Sequence, residues 1–357
     1  MLMMEEVNVN QILNQPISLI FTPFPEELMR VLIENTNAAN IYDCSNPSLV
    51  KTLLQLNEEE LLFLCSQAEW SIFSHVERLS VFSKMLELFC NGPTKVQVIA
   101  MGQSQSHMEK LGTLAQIKTQ VFYAANFPEL LQNYGVFQSG DYLSKWLVYG
   151  MIMDETYRFN RTKAAWFIKS KTQRINKPDN MEKTLVFLAN RVHKTLGYNE
   201  IGSWCGMDNE TAQRYVDKLN DYGIVVPLAS FSSRKRYEYV KGIRVGFWDN
   251  GILNTYKNNF EGIDFRADVE DLWKNWIISE KIKKDVREQK KNRYFFWQSH
   301  TRQNMDLVVI SETGEKQAFM VVWRSKRAIS PPPLFLKYYP EIQVQVISPS
   351  NYLSLLS

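Results

Sequence analysis

Short apolar runs alternating with helix-spaced segments are the feature that most restricts how the first third of this chain can fold. Ile17-Ser-Leu-Ile-Phe21, Ala39-Asn-Ile-Tyr-Asp43 and Val96-Gln-Val-Ile-Ala-Met101 are rich in β-forming residues. Between them, Glu26–Asn35 reads as a helix, and Val76, Leu79, Phe82, Leu86 and Phe89 recur at helical spacing. Parallel strands need a long crossover, which a helix supplies, so this alternation predicts a parallel sheet with crossover helices. Asn91-Gly-Pro93 breaks the chain between one helix and the next strand.

At 357 residues the chain is long enough for two or three domains. Hydrophobic residues make up 45% and aromatics 13%, ample material for packed cores. No uninterrupted apolar run approaches the length of a membrane span, and the start, Met1-Leu-Met-Met-Glu-Glu6, lacks the basic residues of a signal peptide. A cytoplasmic protein without a membrane partner is expected. Cys44, Cys65, Cys90 and Cys205 are scattered, with no C-x-x-C pair, and are expected as buried reduced thiols; a zinc site is the remote alternative. Charge is uneven. Residues 1–160 hold 9 Lys and Arg against 17 Asp and Glu, whereas residues 161–357 hold 32 against 21, so a polyanion would meet the second half. A solvated Lys/Glu surface explains the same numbers.

A helical, aromatic-rich stretch over roughly 138–175 reads as a connector or lid, closed by Asn176-Lys-Pro-Asp-Asn180. Three helices are then expected. The first runs from Met181 to Leu196, the second over Gly197–Trp204, and the third from Asn209 to Tyr222. Gly206 suits a left-handed turn and Asp208 an N-cap. The third helix would bury Ala212, Tyr215, Val216 and Leu219 and expose Glu210, Gln213, Arg214 and Asp217. Strands Ile224–Leu228 and Tyr237–Tyr239, joined through Arg234, Lys235 and Arg236, complete the layout of a winged helix-turn-helix. In that layout Gln213 and Arg214 face bases or backbone, and the three wing cations face phosphates. Inter-domain bracing or protein contact is the competing use, and Glu210 and Asp217 oppose DNA.

Four C-terminal stretches carry a wider resemblance: Tyr294-Phe-Phe-Trp-Gln298, Asn304-Met-Asp-Leu307, Ala318-Phe-Met-Val-Val-Trp323 and Phe335-Leu-Lys-Tyr-Tyr-Pro340. Their cadence resembles the domain of unknown function that closes many prokaryotic AAA-type ATPases, whose strands follow the PD-(D/E)xK nuclease pattern. Asp306 matches the nuclease acid, but Met320 and Val322 stand where that pattern has Glu and Lys, and Lys274 stands at a helix Glu. One carboxylate is too few for a divalent metal. The resemblance also implies a phosphate loop after Ile17–Phe21, yet Thr22-Pro-Phe-Pro-Glu-Glu-Leu28 has no glycine or lysine. An acidic pair should end Trp70-Ser-Ile-Phe-Ser74, where Ser74 and His75 stand instead. His75 and Glu77 are expected to be surface polar groups rather than an acid/base pair. Asp249 and Asn250 are expected to cap a turn and helix start, and Arg266 and Trp273 to pack an inter-domain seam.

The resemblance implies an α/β protein in four parts: a degenerate P-loop ATPase-like parallel sheet (1–135), a helical connector (136–178), a winged helix-turn-helix (179–245) and a restriction-endonuclease-like α/β domain (246–357). It implies a non-catalytic pseudo-ATPase without cofactor, binding DNA, a protein partner or another copy of itself. The alternatives are an ATP-binding AAA-type ATPase with an atypical phosphate loop, using Arg30 or Arg78, and a metal-dependent nuclease rebuilt around Asp306 with Glu280 or Glu312.

Overall fold

Strand β1 (Ile17–Phe21) is buried at every position, as a strand covered on both faces must be. Leu19 and Phe21 pack into one apolar layer with Phe73, Leu86, Phe89 and Ala100; Ile20 joins Ile72, Ile99, Leu28 and Leu32 in the other. Each such fully buried side chain contributes roughly 1.5–3 kcal/mol. The computed structural model describes residues 9, 12–36, 38–123, 127, 142–151, 160–173, 178–232, 242–323 and 329–356.

Two compact units result, one from residues 2–125 with 221–223, the other from 126–220 and 224–357. In the first, β1, β2 (Ala39–Asp43), β3 (Trp70–Ser74), β4 (Val98–Gly102) and β5 (Gln120–Val121) form a sheet of order β2-β3-β4-β1-β5. Every neighbouring pair is parallel. Helices α1 (Pro25–Asn35), α2 (Pro47–Leu53), α3 (Glu58–Cys65), α4 (Phe82–Asn91) and α5 (Gln105–Ala115) lie between the strands. Pro25 opens α1, and Glu26 and Glu27 in its first turn suit the helix dipole. The segment expected as a helix from Val76 instead begins with a 3-10 turn, Val76–Arg78, and α4 starts at Phe82. Cys90 is exposed, contrary to expectation; Cys44, Cys65 and Cys205 are buried, and burial pushes the Cys44 thiol up to about 12.

The second unit is built on a seven-stranded mixed sheet of order β12-β11-β10-β9-β7-β8-β6. In chain order its elements are a helical stretch at 142–149, α6 (Arg161–Thr172), α7 (Pro178–Asn190), β6 (Thr195–Leu196), α8 (Tyr198–Cys205) and α9 (Asn209–Asp221). They continue with β7 (Val225–Ser230), β8 (Ile243–Phe247), α10 (Asn250–Lys257), α11 (Val269–Arg287), β9 (Arg293–Gln298), β10 (Asn304–Ile310), β11 (Lys316–Val321), α12 (Pro333–Tyr338), β12 (Gln343–Ile347) and α13 (Leu353–Leu356). Strands β9, β10 and β11 form an antiparallel meander, and β12 returns parallel to β11.

Three sequence expectations change here. The first of the three helices stops at Asn190, because Thr195 and Leu196 pair with Arg244 and Ile243 as β6. The antiparallel partner of β7 is β8, in register Val225↔Phe247 to Ala229↔Ile243; Tyr237–Tyr239 lie outside the described residues. Finally, β7 also pairs with β9 through Ala229↔Phe295 and Ser230↔Phe296, so the strands after α9 and the C-terminal strands share one sheet. Arg266 and Trp273 accordingly sit inside one unit. Arg266 binds Asp268 and the Asn254 side chain (2.9 Å), and Trp273 stacks on Trp276 at 5.6 Å.

Candidate functional site

The turn between α8 and α9 is built as its local sequence dictates. Gly206 takes φ 73° after α8, a conformation that costs glycine little, and Asp208 Oδ1 accepts the Thr211 backbone N–H at 2.7 Å. Ala212, Val216 and Leu219 are buried and Tyr215 half-buried, while Glu210, Gln213, Arg214 and Asp217 are exposed. Arg214 Nη2 donates to Thr211 Oγ1 at 2.7 Å, so its guanidinium is anchored near the start of the helix. Arg234, Lys235 and Arg236 lie outside the described residues.

A second group of polar residues gathers at the carboxyl ends of the parallel strands, where open α/β sheets take their ligands. There the turn after β1 is closed. Thr22, Pro23, Phe24 and Pro25 are buried, the Gln103 side-chain amide donates to the Pro23 carbonyl at 2.9 Å, and Glu77 Oε2 accepts the Gln103 backbone N–H at 3.2 Å. His75, expected on the surface, is fully buried at the end of β3 with φ 54°. Its Nδ1 lies 3.1 Å from Asp43 Oδ1, an oxygen that also accepts from Ser74 Oγ and Ser45 N; its Nε2 lies 4.0 Å from Glu26 Oε1. Burial lowers the His75 pKa, against the pull of Glu77 and Asp43. For Asp43, burial acts upward, but hydrogen bonds from Ser45 and Ser74 and the nearby imidazole hold the carboxyl below its ordinary value. Glu26, Asp43 and Glu77 thus surround His75 with carboxylates, and the Arg78 guanidinium is also near it.

The third group surrounds Asp306, between α11 and the mixed sheet. Asp306 Oδ2 accepts the Val321 backbone N–H at 2.9 Å. Its Oδ1 stands 2.9 Å from Lys274 Nζ, close enough for an ion pair but without hydrogen-bond alignment. The lysine thus neutralises the acid beside it. Neither expected helper carboxylate serves Asp306. Buried Glu280 is taken by Lys283 (2.7 Å) and the Phe127 N–H (2.8 Å), and exposed Glu312 lies 3.8 Å from Lys291. Among the described residues no group of three or more His, Cys, Asp or Glu side chains could hold a metal.

Residues that periodicity does not single out complete this third group. Buried Arg244 donates from Nε to Thr195 Oγ1 at 3.1 Å and lies 4.4 Å from the Phe296 ring centroid. Buried His193 lies with Nε2 3.2 Å from Asn275 Oδ1; that oxygen already accepts the Phe247 N–H, so the imidazole Nε2 carries the hydrogen. Burial, reinforced by Lys274 and Arg244, drives the His193 pKa down to about 3. The available signal was Arg244 itself, a charge inside the apolar run Ile243–Phe247. Asp249 caps α10 as expected, accepting Gly251 N, and also takes Met151 N, both at 2.7 Å. Asn250 instead bridges the Leu147 and Leu272 carbonyls.

Residues 169–262, from within α6 through α10, match a family model described as a domain of unknown function (DUF8612). No curated protein matches the chain. No helix among the described residues is long and apolar enough to cross a membrane.

Proposed function

We propose that this chain is a non-catalytic, degenerate relative of AAA-type ATPases that binds duplex DNA through its helix-turn-helix. The observation that carries the reading is the exposed face of α9: Gln213 and Arg214 project from a helix that follows a left-handed glycine turn and a side-chain cap. The excess of Lys and Arg over residues 161–357 supports a polyanionic partner, and Arg234, Lys235 and Arg236 follow in sequence as phosphate contacts. Loss of chemistry is supported at both expected centres. A phosphate loop works by offering backbone N–H groups to the ligand; the turn after β1 carries two prolines and is buried, and Glu26 and Glu27 follow it in the first turn of α1. At the nuclease-like centre, Lys274 occupies the lone acid. The helix, three strands, helix, strand order from α11 to β12 supports the nuclease-like descent of that lobe.

Anisotropy of a labelled duplex with the full-length protein, at several salt concentrations, tests this. Affinity should fall as salt rises, and Arg214→Ala or Lys235→Ala should each reduce the salt slope by about one, the value for a single phosphate that is no longer neutralised. Binding that ignores salt, or none at all, would reject the DNA reading and leave a protein partner. A rise in melting temperature with Mg-ATP would reject the loss of nucleotide binding.

A further inference from the structure

Strand registers place a row of polar groups on one face of the seven-stranded sheet. Arg244 pairs with Thr195 on β6 and Leu228 on β7, and Ser230 pairs with Phe296 on β9. Side chains alternate along each strand, so Thr195, Arg244, Ser230 and Phe296 share that face. The Arg244 guanidinium lies over the Phe296 ring, two strands away, and therefore passes across β7, which carries Ser230. From α11, Lys274 reaches Asp306 on β10, the strand beyond.

This row is short of partners. Arg244 is only 6% exposed, yet among the described residues its one hydrogen bond is from Nε to Thr195, and no carboxylate lies within ion-pair distance. Ser230 Oγ is buried with no hydrogen bond, and Asp306 Oδ1 accepts none. Arg244 and Lys274 share Asp306 as the carboxylate of this row, and Glu270, one turn before Lys274 on α11, is taken by the Trp323 N–H. Among the described residues the remaining guanidinium donors therefore have no partner in a buried place, an unfavourable arrangement until an anion completes it. A tetrahedral oxyanion would supply acceptors for the guanidinium, the ammonium and the Ser230 hydroxyl. Asp306 Oδ1 can only accept, so an oxyanion that brings a hydrogen meets it without repulsion, whereas one that has none does not.

We propose that this face binds a phosphate group that keeps one proton, either hydrogen phosphate or the terminal phosphomonoester of a nucleotide or nucleic acid. Arg244 and Lys274 meet the charge, Ser230 donates its hydroxyl, and Asp306 accepts the P–OH. Sulfate has the same shape and no proton near neutral pH, so it would meet Asp306 as one acceptor facing another. The site is independent of α9, and Arg214→Ala leaves it intact.

Calorimetric titration of the full-length protein at pH 6.5 and constant ionic strength tests the proposal, with inorganic phosphate as probe and sulfate as control. Saturable phosphate binding is expected, about tenfold or more tighter than sulfate, since one unmade charge-assisted hydrogen bond corresponds to about that factor. Ser230→Ala, which removes one hydroxyl and little volume, and Lys274→Gln should each weaken phosphate about tenfold or more. One oligonucleotide in 5′-phosphorylated and 5′-hydroxyl forms separates the sources. Tighter binding of the phosphorylated form identifies a nucleic-acid end, and equal binding identifies free phosphate. No saturable phosphate binding, sulfate binding as tightly, or folded Ser230→Ala and Lys274→Gln variants that bind like wild type would each overturn the proposal.

Discussion

Replacing Lys274 by Met tests whether Asp306 is held by an ion pair or merely lies near a lysine. The two side chains are 19% and 8% exposed and approach to 2.9 Å. Removing one partner of a buried pair costs about 3–5 kcal/mol, chiefly because the other charge is left uncompensated. Two features reduce that here: the ammonium keeps some solvent, and Asp306 Oδ2 retains the Val321 N–H. We therefore expect Lys274→Met to cost about 2–3 kcal/mol. Asp306→Asn should cost less, about 1 kcal/mol, since the freed ammonium can turn to water and the amide oxygen can still accept from Val321. The double variant removes the carboxylate that Lys274→Met leaves without its lysine, and should be more stable than Lys274→Met alone, by about 1 kcal/mol or more. Urea unfolding followed by tryptophan fluorescence suits this cycle, because eight of the nine tryptophans belong to the unit that holds the pair. Single effects that simply add in the double variant would refute the coupling, and with it the claim that the lysine neutralises the acid.

Neighbouring geometry gives three further outcomes. His193 has its pKa lowered to about 3 in the folded chain from an ordinary 6.5, so the unfolded chain binds more protons between these values. Its contribution is whole above pH 6.5 and declines as pH falls toward 3, by up to about 1.4 kcal/mol per pH unit. His193→Asn, which tolerates the positive φ of 55°, should flatten that acid limb; an unchanged slope would assign the acid sensitivity elsewhere. Gly150→Ala should cost about 3 kcal/mol or more in urea unfolding, since φ is +75° and a Cβ would stand 1.9 Å from Asp249 Oδ1. A loss below about 1 kcal/mol would mean that the Asp249 cap is readily moved. Lys274→Glu exchanges the neutralising cation for a second hard oxygen donor beside Asp306, and should create a manganese-dependent rise in melting temperature that wild type lacks. Equal response in the two proteins would show that Lys274 does not govern the centre.

The parallel sheet was legible in the sequence because strands covered on both faces become unbroken apolar runs, and β1, β3 and β4 are such runs. The helices around Gly206 were legible for a similarly local reason: their burial repeats every three or four residues, and the turn needs a residue that accepts positive φ. What stayed hidden depends on contacts between distant parts of the chain. Polar His75 ends an apolar strand, and only the approach of Asp43, 32 residues earlier, makes its burial tolerable. β8 is not legible as a strand in the sequence, since Arg244 and Gly246 interrupt its apolar residues, and it becomes visible only through its pairing with β7. The polar row depends on the parallel pairing of Ser230 with Phe296, 66 residues apart, and no periodicity could have announced it. Two kinds of anomaly separate on the same ground. Asp306 stands out because it matches a pattern the sequence resembles, and Lys274 stands 2.9 Å from it as an ion-pair partner; Arg244 fits no such pattern, and among the described residues its buried guanidinium makes a single hydrogen bond, to Thr195. A charge that breaks an apolar pattern without conforming to a motif is therefore the sounder pointer to a ligand, since only a contact beyond local sequence can justify burying it.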